Sequence, residues 1–183
     1  MPQSLVQAYL HIVFSTKNRR PDLKGDICEK THAYLGGACK NLGVDAIQVG
    51  GVEDHVHLCC RMSKVLTISK LIAELKRDSS KWLKTQNDSL GRFYWQSGYG
   101  AFSISPSHVD GLVEYIANQK EHHKRESFQD ELRRLCKKYK VEIDERYVWD
   151  LPHLCNAFGV SHRLLHTQGA LRDPGLWNVT PSA

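Results

Sequence analysis

The order in which the hydrophobic period changes along the chain constrains the fold more than any other feature. Residues 8–16 (Ala-Tyr-Leu-His-Ile-Val-Phe-Ser-Thr) are rich in aromatic and β-branched side chains and read as a strand. From about Asp22 to Leu42 the apolar positions recur at helical spacing (Ile27, Thr31, Tyr34, Leu35, Ala38, Leu42), and Gly43 stops the pattern as a glycine beyond a helix end does. Asp45 to Val52 alternates again, Glu53-Asp54 is a tight polar joint, and His55 to Met62 reads as a third strand. Thr67 to Thr85 predicts a second helix with Ile68, Ile72, Leu75, Ser79 and Trp82 on one face. Phe93 to Ile104 predicts a fourth strand, or two short ones, interrupted by Gly98 and Gly100. Ser107 is placed to cap a helix from His108 to about Glu121, and another helix is expected from about Ser127 to Lys140. The order β-α-β-β-α-β predicts an α+β fold, a ferredoxin-like (RRM-like) split β-α-β sandwich with both helices on one face of an antiparallel sheet. The opposite face is then free, or covered by the C-terminal helices.

Length and charge set the domain plan. The chain has 183 residues, which suits one compact domain. Residues 1–150 carry 42 of the 45 charged side chains, whereas 151–183 hold only Arg163, Arg172 and Asp173 together with three prolines and three glycines. The expected division is a catalytic body over 1–150 and an extended or weakly ordered tail over 151–183. No apolar run approaches the roughly 18–20 residues of a membrane span, and the first residues lack the basic stretch of an export signal. The six cysteines form no Cys-x-x-Cys pair, so free buried thiols in a reducing, cytoplasmic compartment are expected. Net charge is +5, compatible with a nucleic-acid partner without requiring one.

Three groups of residues bear chemistry. In a strand, residues two apart share a face, so His55 and His57 of His55-Val56-His57 would present two imidazoles to one divalent ion. The bland alternative is a pair of half-exposed histidines on the free sheet face. On a helix Tyr115 and Gln119 are four apart and adjacent. A tyrosine can attack a phosphodiester, and the amide oxygen of Gln119 could reach the same ion; otherwise they are a core-edge tyrosine and a solvated glutamine. Basic residues cluster at Lys17, Arg19 and Arg20, at Lys70, Arg77, Lys81 and Lys84 along one stripe of the second helix, and from Lys120, Lys124 and Arg125 onward. Each cluster alone reads as a solvated face. With Tyr94, Trp95, Tyr99 and Phe102 available to stack on unpaired bases, they point to single-stranded nucleic acid.

Four stretches in this order resemble the single-tyrosine HUH transposases, the strand-transfer enzymes of small insertion sequences and their relatives associated with repetitive extragenic palindromes. They are His11-Ile-Val-Phe-Ser-Thr-Lys17 with Arg19-Arg20; Asp54-His55-Val56-His57; Phe93 to Ser103; and Tyr115-Ile-Ala-Asn-Gln119 followed by His122-His123. The resemblance implies that His55, His57 and Gln119 hold a divalent metal, Mg²⁺ or Mn²⁺, and that Tyr115 attacks single-stranded DNA to form a 5′-phosphotyrosine link. It implies DNA hairpins as partners and a two-fold homodimer joined sheet edge to sheet edge, the tyrosine helix of one subunit serving its own site or its partner's. It implies no nucleotide cofactor, in keeping with the absence of a G-x-x-x-x-G-K-[ST] loop. Two other readings compete: a domesticated hairpin-binding protein of the same fold without chemistry, and a replication or conjugation initiator with the same histidine pair. The second is disfavoured by the short chain and by a tyrosine on the C-terminal side of the histidines.

Overall fold

The computed structural model describes residues 5–149. The expected tail over 151–183, and Cys155 within it, lie outside the described residues. Four strands, β1 (Tyr9–Ser15), β2 (Asp45–Val52), β3 (His55–Arg61) and β4 (Gly100–Ile104), form one sheet in the order β2-β3-β1-β4. Every neighbouring pair is antiparallel. Helices α1 (Asp26–Asn41) and α2 (Ile68–Leu83) are interleaved with them, so the split β-α-β order read from the sequence is the order observed. Leu10, Ile12, Phe14, Val56, Leu58 and Cys60 point to the face that α1 and α2 cover, and pack there against Leu35, Cys39, Leu71 and Leu75. The buried face of α2 is Leu71, Ile72, Leu75, Ser79 and Leu83; the expected Ile68 and Trp82 are only partly buried at its border. Gly43 adopts φ +69°, the left-handed conformation that a helix stop requires.

Four expectations are corrected. The region from Phe93 yields only a five-residue β4 and, ahead of it, an isolated antiparallel bridge between Thr16 and Trp95. Phe93 and Trp95 turn into the core, where the Trp95 indole N–H donates to Ser79 Oγ at 2.9 Å. Trp95 and Phe102 are therefore buried and unavailable to stack on bases, whereas Tyr94 and Tyr99 are exposed. The helix expected over 108–121 is broken: α3 (Val109–Ala117) ends at Asn118, and a single turn, α4 (Gln119–His122), restarts after it. Ser107 caps nothing; it lies in a 3-10 turn whose Ser105 hydroxyl instead bonds His108 Nδ1 at 2.6 Å.

The second sheet face is covered too. Helix α3 lies over β2 and β3, with Leu112 and Ile116 packed on Cys59 and Ile104. Gly50 on β2 permits this approach, because a Cβ there would sit 2.6 Å from the Ile116 carbonyl oxygen. Helix α5 (Phe128–Tyr139) lays Phe128, Leu132, Leu135 and Cys136 over Val13 and Phe102, joined by Trp149 just after the short α6 (Glu145–Val148). Ser127 caps α5 by accepting from the Asp130 N–H at 3.2 Å. Each large apolar side chain buried here contributes roughly 1.5–3 kcal/mol. Together they offset the several kcal/mol that desolvating one carboxylate on the same helix face, Glu131, costs. All five described cysteines are buried and free.

Candidate active site

The register of β1 on β3 builds the floor of the site. Val13 pairs with His57, Ser15 with His55 and His11 with Cys59, so His11, His55 and His57 all point to the face covered by α3 and α5. His55 and His57 are fully buried, not half-exposed. His55 Nδ1 lies 2.6 Å from Asp54 Oδ1; the carboxylate only accepts, so the proton sits on Nδ1 and the Nε2 lone pair is free. His57 Nδ1 lies 2.9 Å from His11 Nε2. Burial pushes His57 down to about 4 and, with His57 beside it, His11 down to about 3, so both imidazoles are neutral at pH 7.

The roof comes from α3, α4 and α5. Gln119 is buried, its amide N–H donating to Glu131 Oε1 at 3.0 Å. Glu131 is fully buried at the centre. Its Oε2 lies 3.1 Å from His123 Nε2, 3.3 Å from His57 Nε2 and 3.5 Å from His55 Nε2. Its Oε1 accepts a hydrogen bond from the Tyr115 hydroxyl. Burial opposes ionisation of Glu131, but the surrounding His123, His57 and His55 more than offset it and hold the carboxyl well below its usual range. Burial and the Glu131 charge together push the Tyr115 phenol above its ordinary value, despite Arg134 Nη2 at 3.2 Å from the phenol oxygen.

Whether these residues suit a metal is answered by their unpaired atoms. Among the described residues, the buried side-chain polar atoms without a hydrogen-bond partner are His55 Nε2, His57 Nε2 and Gln119 Oε1. An unpaired buried polar atom costs about 1–3 kcal/mol, and the two imidazole nitrogens that face Glu131 Oε2 mark a place suited to something that accepts electron pairs. One nitrogen from each of His55, His57 and His123 and one Glu131 oxygen lie within 4.8 Å of one another, a buried cluster able to hold a metal ion. The donor set of imidazoles, an amide oxygen and a carboxylate fits a divalent cation.

A family model described as IS200-like transposase matches residues 4–119, well over half the chain. The chain belongs to this family. The match spans His55, His57, Tyr115 and Gln119 and stops short of His123 and Glu131. The IS200 transposases of Salmonella typhimurium LT2 and Salmonella typhi are each 26% identical over 119 residues, covering 62% of this chain and 78% of theirs. Two solved structures share the fold. One, of a Deinococcus radiodurans R1 protein assigned as a transposase, has a TM-score of 0.51 at 19% identity, over 65% of this chain and 98% of its own. The other, a REP-associated tyrosine transposase bound to a REP hairpin, has a TM-score of 0.51 at 13% identity, over 67% and 73%. Among the described residues of this IS200-like transposase, no helix is long and apolar enough to cross a membrane.

In this transposase the residues singled out from sequence divide into two sets. His55, His57, Tyr115 and Gln119 meet at one place. The basic clusters do not reach it. Lys120 pairs with Glu29 at 3.3 Å and Lys124 with Glu121 at 2.7 Å, while Arg125 is exposed, so the cation at the Tyr115 oxygen is Arg134 instead. Lys70 is exposed on α2, and Arg77 is tied to Glu74 and, at 2.8 Å, to Asp78. Arg77, Lys81 and Lys84 line an open groove with Tyr94 and Tyr99, and Lys84 Nζ sits 3.8 Å from the Tyr94 ring centroid. Lys17 and Arg19 flank a 3-10 turn after β1, Arg19 lying over the Trp149 ring, and Arg20 pairs with Asp22 at 3.3 Å. Sequence reasoning missed His11 and Glu131 as parts of the site. Glu131 carried a signal: it falls between Phe128, Leu132 and Leu135 on the apolar stripe of α5, where an acidic residue has no place without partners.

Proposed function

We propose that the protein cleaves single-stranded DNA beside a hairpin and rejoins it through a 5′-phosphotyrosine on Tyr115, with Mg²⁺ or Mn²⁺ held by His55, His57 and Gln119. The observation that carries this reading is the gathering of His55, His57, Gln119 and Tyr115 around the Glu131 carboxylate, with His55 Nε2, His57 Nε2 and Gln119 Oε1 left without hydrogen-bond partners. His123 and Glu131 supply two further donors at the same place. A bound divalent ion supplies Lewis-acid polarisation of the scissile phosphate oxygen. The rest falls to the chain's own residues. Tyr115 Oη attacks phosphorus, the P–O3′ bond breaks, and the strand leaves with a free 3′-hydroxyl; a later 3′-hydroxyl attacks the phosphotyrosine and releases Tyr115. Asp54 fixes the tautomer of His55 with its Nε2 lone pair free, and His11 holds the His57 ring in place through His57 Nδ1. One phosphoester is exchanged for another, so no nucleotide cofactor is required.

In this reading residues 1–150 form the catalytic body, the tail over 151–183 is an appendage, and the protein works in the cytoplasm as a two-fold homodimer. Lys17, Arg19, Arg20, Lys70, Arg77, Lys81, Lys84, Lys120, Lys124 and Arg125 hold DNA backbone away from the reacting phosphate. The hairpin partner is supported by the REP hairpin bound to the similar tyrosine transposase. One observation favours a binding protein without chemistry: the phenol is engaged by Glu131 and holds its proton more firmly than an ordinary tyrosine. Labelled single-stranded hairpins from the protein's own genomic flanks, incubated with Mn²⁺ or Mg²⁺ and run on denaturing gels, decide between the two. A covalent adduct is expected; hairpin binding with no adduct on any flank leaves the binding protein.

A further inference from the structure

A cavity of about 450 Å³ opens beside Tyr115, lined by His11 but by none of the candidate metal-binding residues. Its walls are of two kinds. Ile104, Leu112 and Leu135 make an apolar surface together with the ring of Tyr139, which is stacked on Phe102 with 4.7 Å between centroids. At its rim stand cations of α5. Arg134 donates to the Tyr115 oxygen at 3.2 Å and is braced by Glu126 through bonds of 3.1 and 2.9 Å. One turn on, Lys138 makes no salt bridge among the described residues; its Nζ lies 5.4 Å from the Tyr139 ring centroid. The volume lies within the roughly 300–1,000 Å³ of small-ligand sites. An apolar wall with an aromatic ring suits a base, and Arg134 beside the Tyr115 hydroxyl, with Lys138 lining the same cavity, suits its phosphate. A bare anion would leave the apolar wall without purpose, and a purely apolar ligand would leave Lys138 without a counter-charge.

We propose that this cavity receives the nucleotide whose 5′-phosphate Tyr115 attacks, its base against Tyr139 and Leu112 and its phosphate between the Tyr115 oxygen, Arg134 and Lys138. The proposal rests on Tyr115 being the nucleophile and adds which part of the DNA is gripped. After cleavage this nucleotide stays linked to Tyr115, so a pocket here anchors the covalent half while the 3′-hydroxyl strand is free to move. The cationic rim belongs to α5, downstream of the stretch the family model matches, and is a feature of this chain's own C-terminal half.

The test compares binding of 5′-phosphorylated and 5′-hydroxyl pentathymidine, in EDTA so that no metal contributes. One charge-assisted contact to phosphate is worth about 1.5–3 kcal/mol, so the phosphorylated strand should bind the wild type about ten-fold tighter or more. Lys138→Gln removes a rim cation that is exposed and unpaired by carboxylate. Gly111→Leu fills the cavity from α3, where an added Cβ meets nothing within 4 Å. Both variants should lose most of the phosphate preference while keeping hairpin affinity. Equal affinity of the two strands for the wild type, or a preference that survives in both variants, overturns the site. Adduct formation by the wild type is scored separately. If the preference behaves as expected but no adduct forms, the nucleophile reading falls and a nucleotide-binding pocket stands; if adduct forms without the preference, the pocket alone falls.

Discussion

A hydrogen bond joins Tyr115 to Glu131 across the gap between α3 and α5: the phenol donates to Glu131 Oε1, while Oε2 of the same carboxylate lies 3.3 Å from His57 Nε2. The proposed nucleophile and the candidate metal-binding cluster are thus coupled through a single side chain. Tyr115→Phe keeps the ring and removes the oxygen. The variant should lose the covalent protein–DNA adduct, cleavage and rejoining, while hairpin affinity stays within two-fold. Its stability should change by no more than about 1.5 kcal/mol, the worth of one hydrogen bond. An adduct formed by the variant, read on a denaturing gel, passes the role to another tyrosine.

Glu131→Gln separates the carboxylate's two contacts. The amide retains an oxygen for the Tyr115 hydroxyl but offers no charge to a cation. Mn²⁺ affinity measured by calorimetry should fall at least ten-fold, approaching that of His57→Ala, as expected when a charged ligand becomes neutral. The Tyr115 phenol, relieved of a neighbouring negative charge, should titrate lower than in the wild type by ultraviolet absorbance. Unchanged metal affinity removes Glu131 from the ligand set.

The element order and both halves of the histidine pair were legible because they rest on local periodicity. Residues two apart in a strand must share a face, and the breaks between periods set the element order. His11 and Glu131 were not legible for the same reason. His11 reaches His57 only because β1 and β3 pair with Val13 opposite His57, a register that no single strand encodes. Glu131 meets Gln119 through the packing of α5 on the sheet, and the break at Asn118 that lets Gln119 turn inward interrupts what reads as one continuous helix. Lys120 was legible as a charge but not as half of an ion pair, since Glu29 and Lys120 lie far apart in sequence.

The buried imidazoles give the metal-free protein an acid limit. His57 and His11 are held at about 4 and about 3, below the ordinary 6.5 that they regain on unfolding. A group whose folded value is depressed contributes stability that is complete above its unfolded value and is lost as pH falls. Stability in EDTA should therefore be flat above about pH 7 and decline below about 6.5, by about 2 kcal/mol per histidine near pH 5. Urea unfolding at pH 7.5 and 5 measures the slope, and His11→Asn should reduce it. An identical slope in that variant removes His11 as a source.

Salt dependence sorts the α2 cations. Each phosphate contact contributes about −0.7 to −0.9 to the slope of log affinity against log salt. Lys81 and Lys84 line the open groove, whereas Arg77, in the same groove, is held by Glu74 and Asp78. Lys81→Ala and Lys84→Ala should each flatten the slope by roughly one unit, and Arg77→Ala by clearly less, because its charge is already partly compensated. Equal slopes in all four proteins return the stripe to a solvated face.

Gly50→Ala tests whether the seating of α3 on the sheet places the tyrosine. The new Cβ would lie 2.6 Å from the Ile116 carbonyl oxygen and 2.7 Å from its Cγ2. Neither can yield alone: the carbonyl is helix backbone, and Ile116 is buried against Cys59 and Leu112. Helix α3 must lift from β2, and Tyr115, its neighbour in sequence, moves with it. Overpacking of this kind costs about 1–3 kcal/mol, so the unfolding midpoint should fall while the protein stays folded. Adduct formation should drop far more than stability does, because a displacement of about 1 Å at a reacting group can cost 10²-fold in rate. Gly36→Ala on α1, where an added Cβ meets only the Val49 side chain at 3.9 Å, serves as the control. If Gly50→Ala forms adduct at the wild-type rate with a lowered midpoint, close packing at Gly50 stabilises the fold without positioning Tyr115.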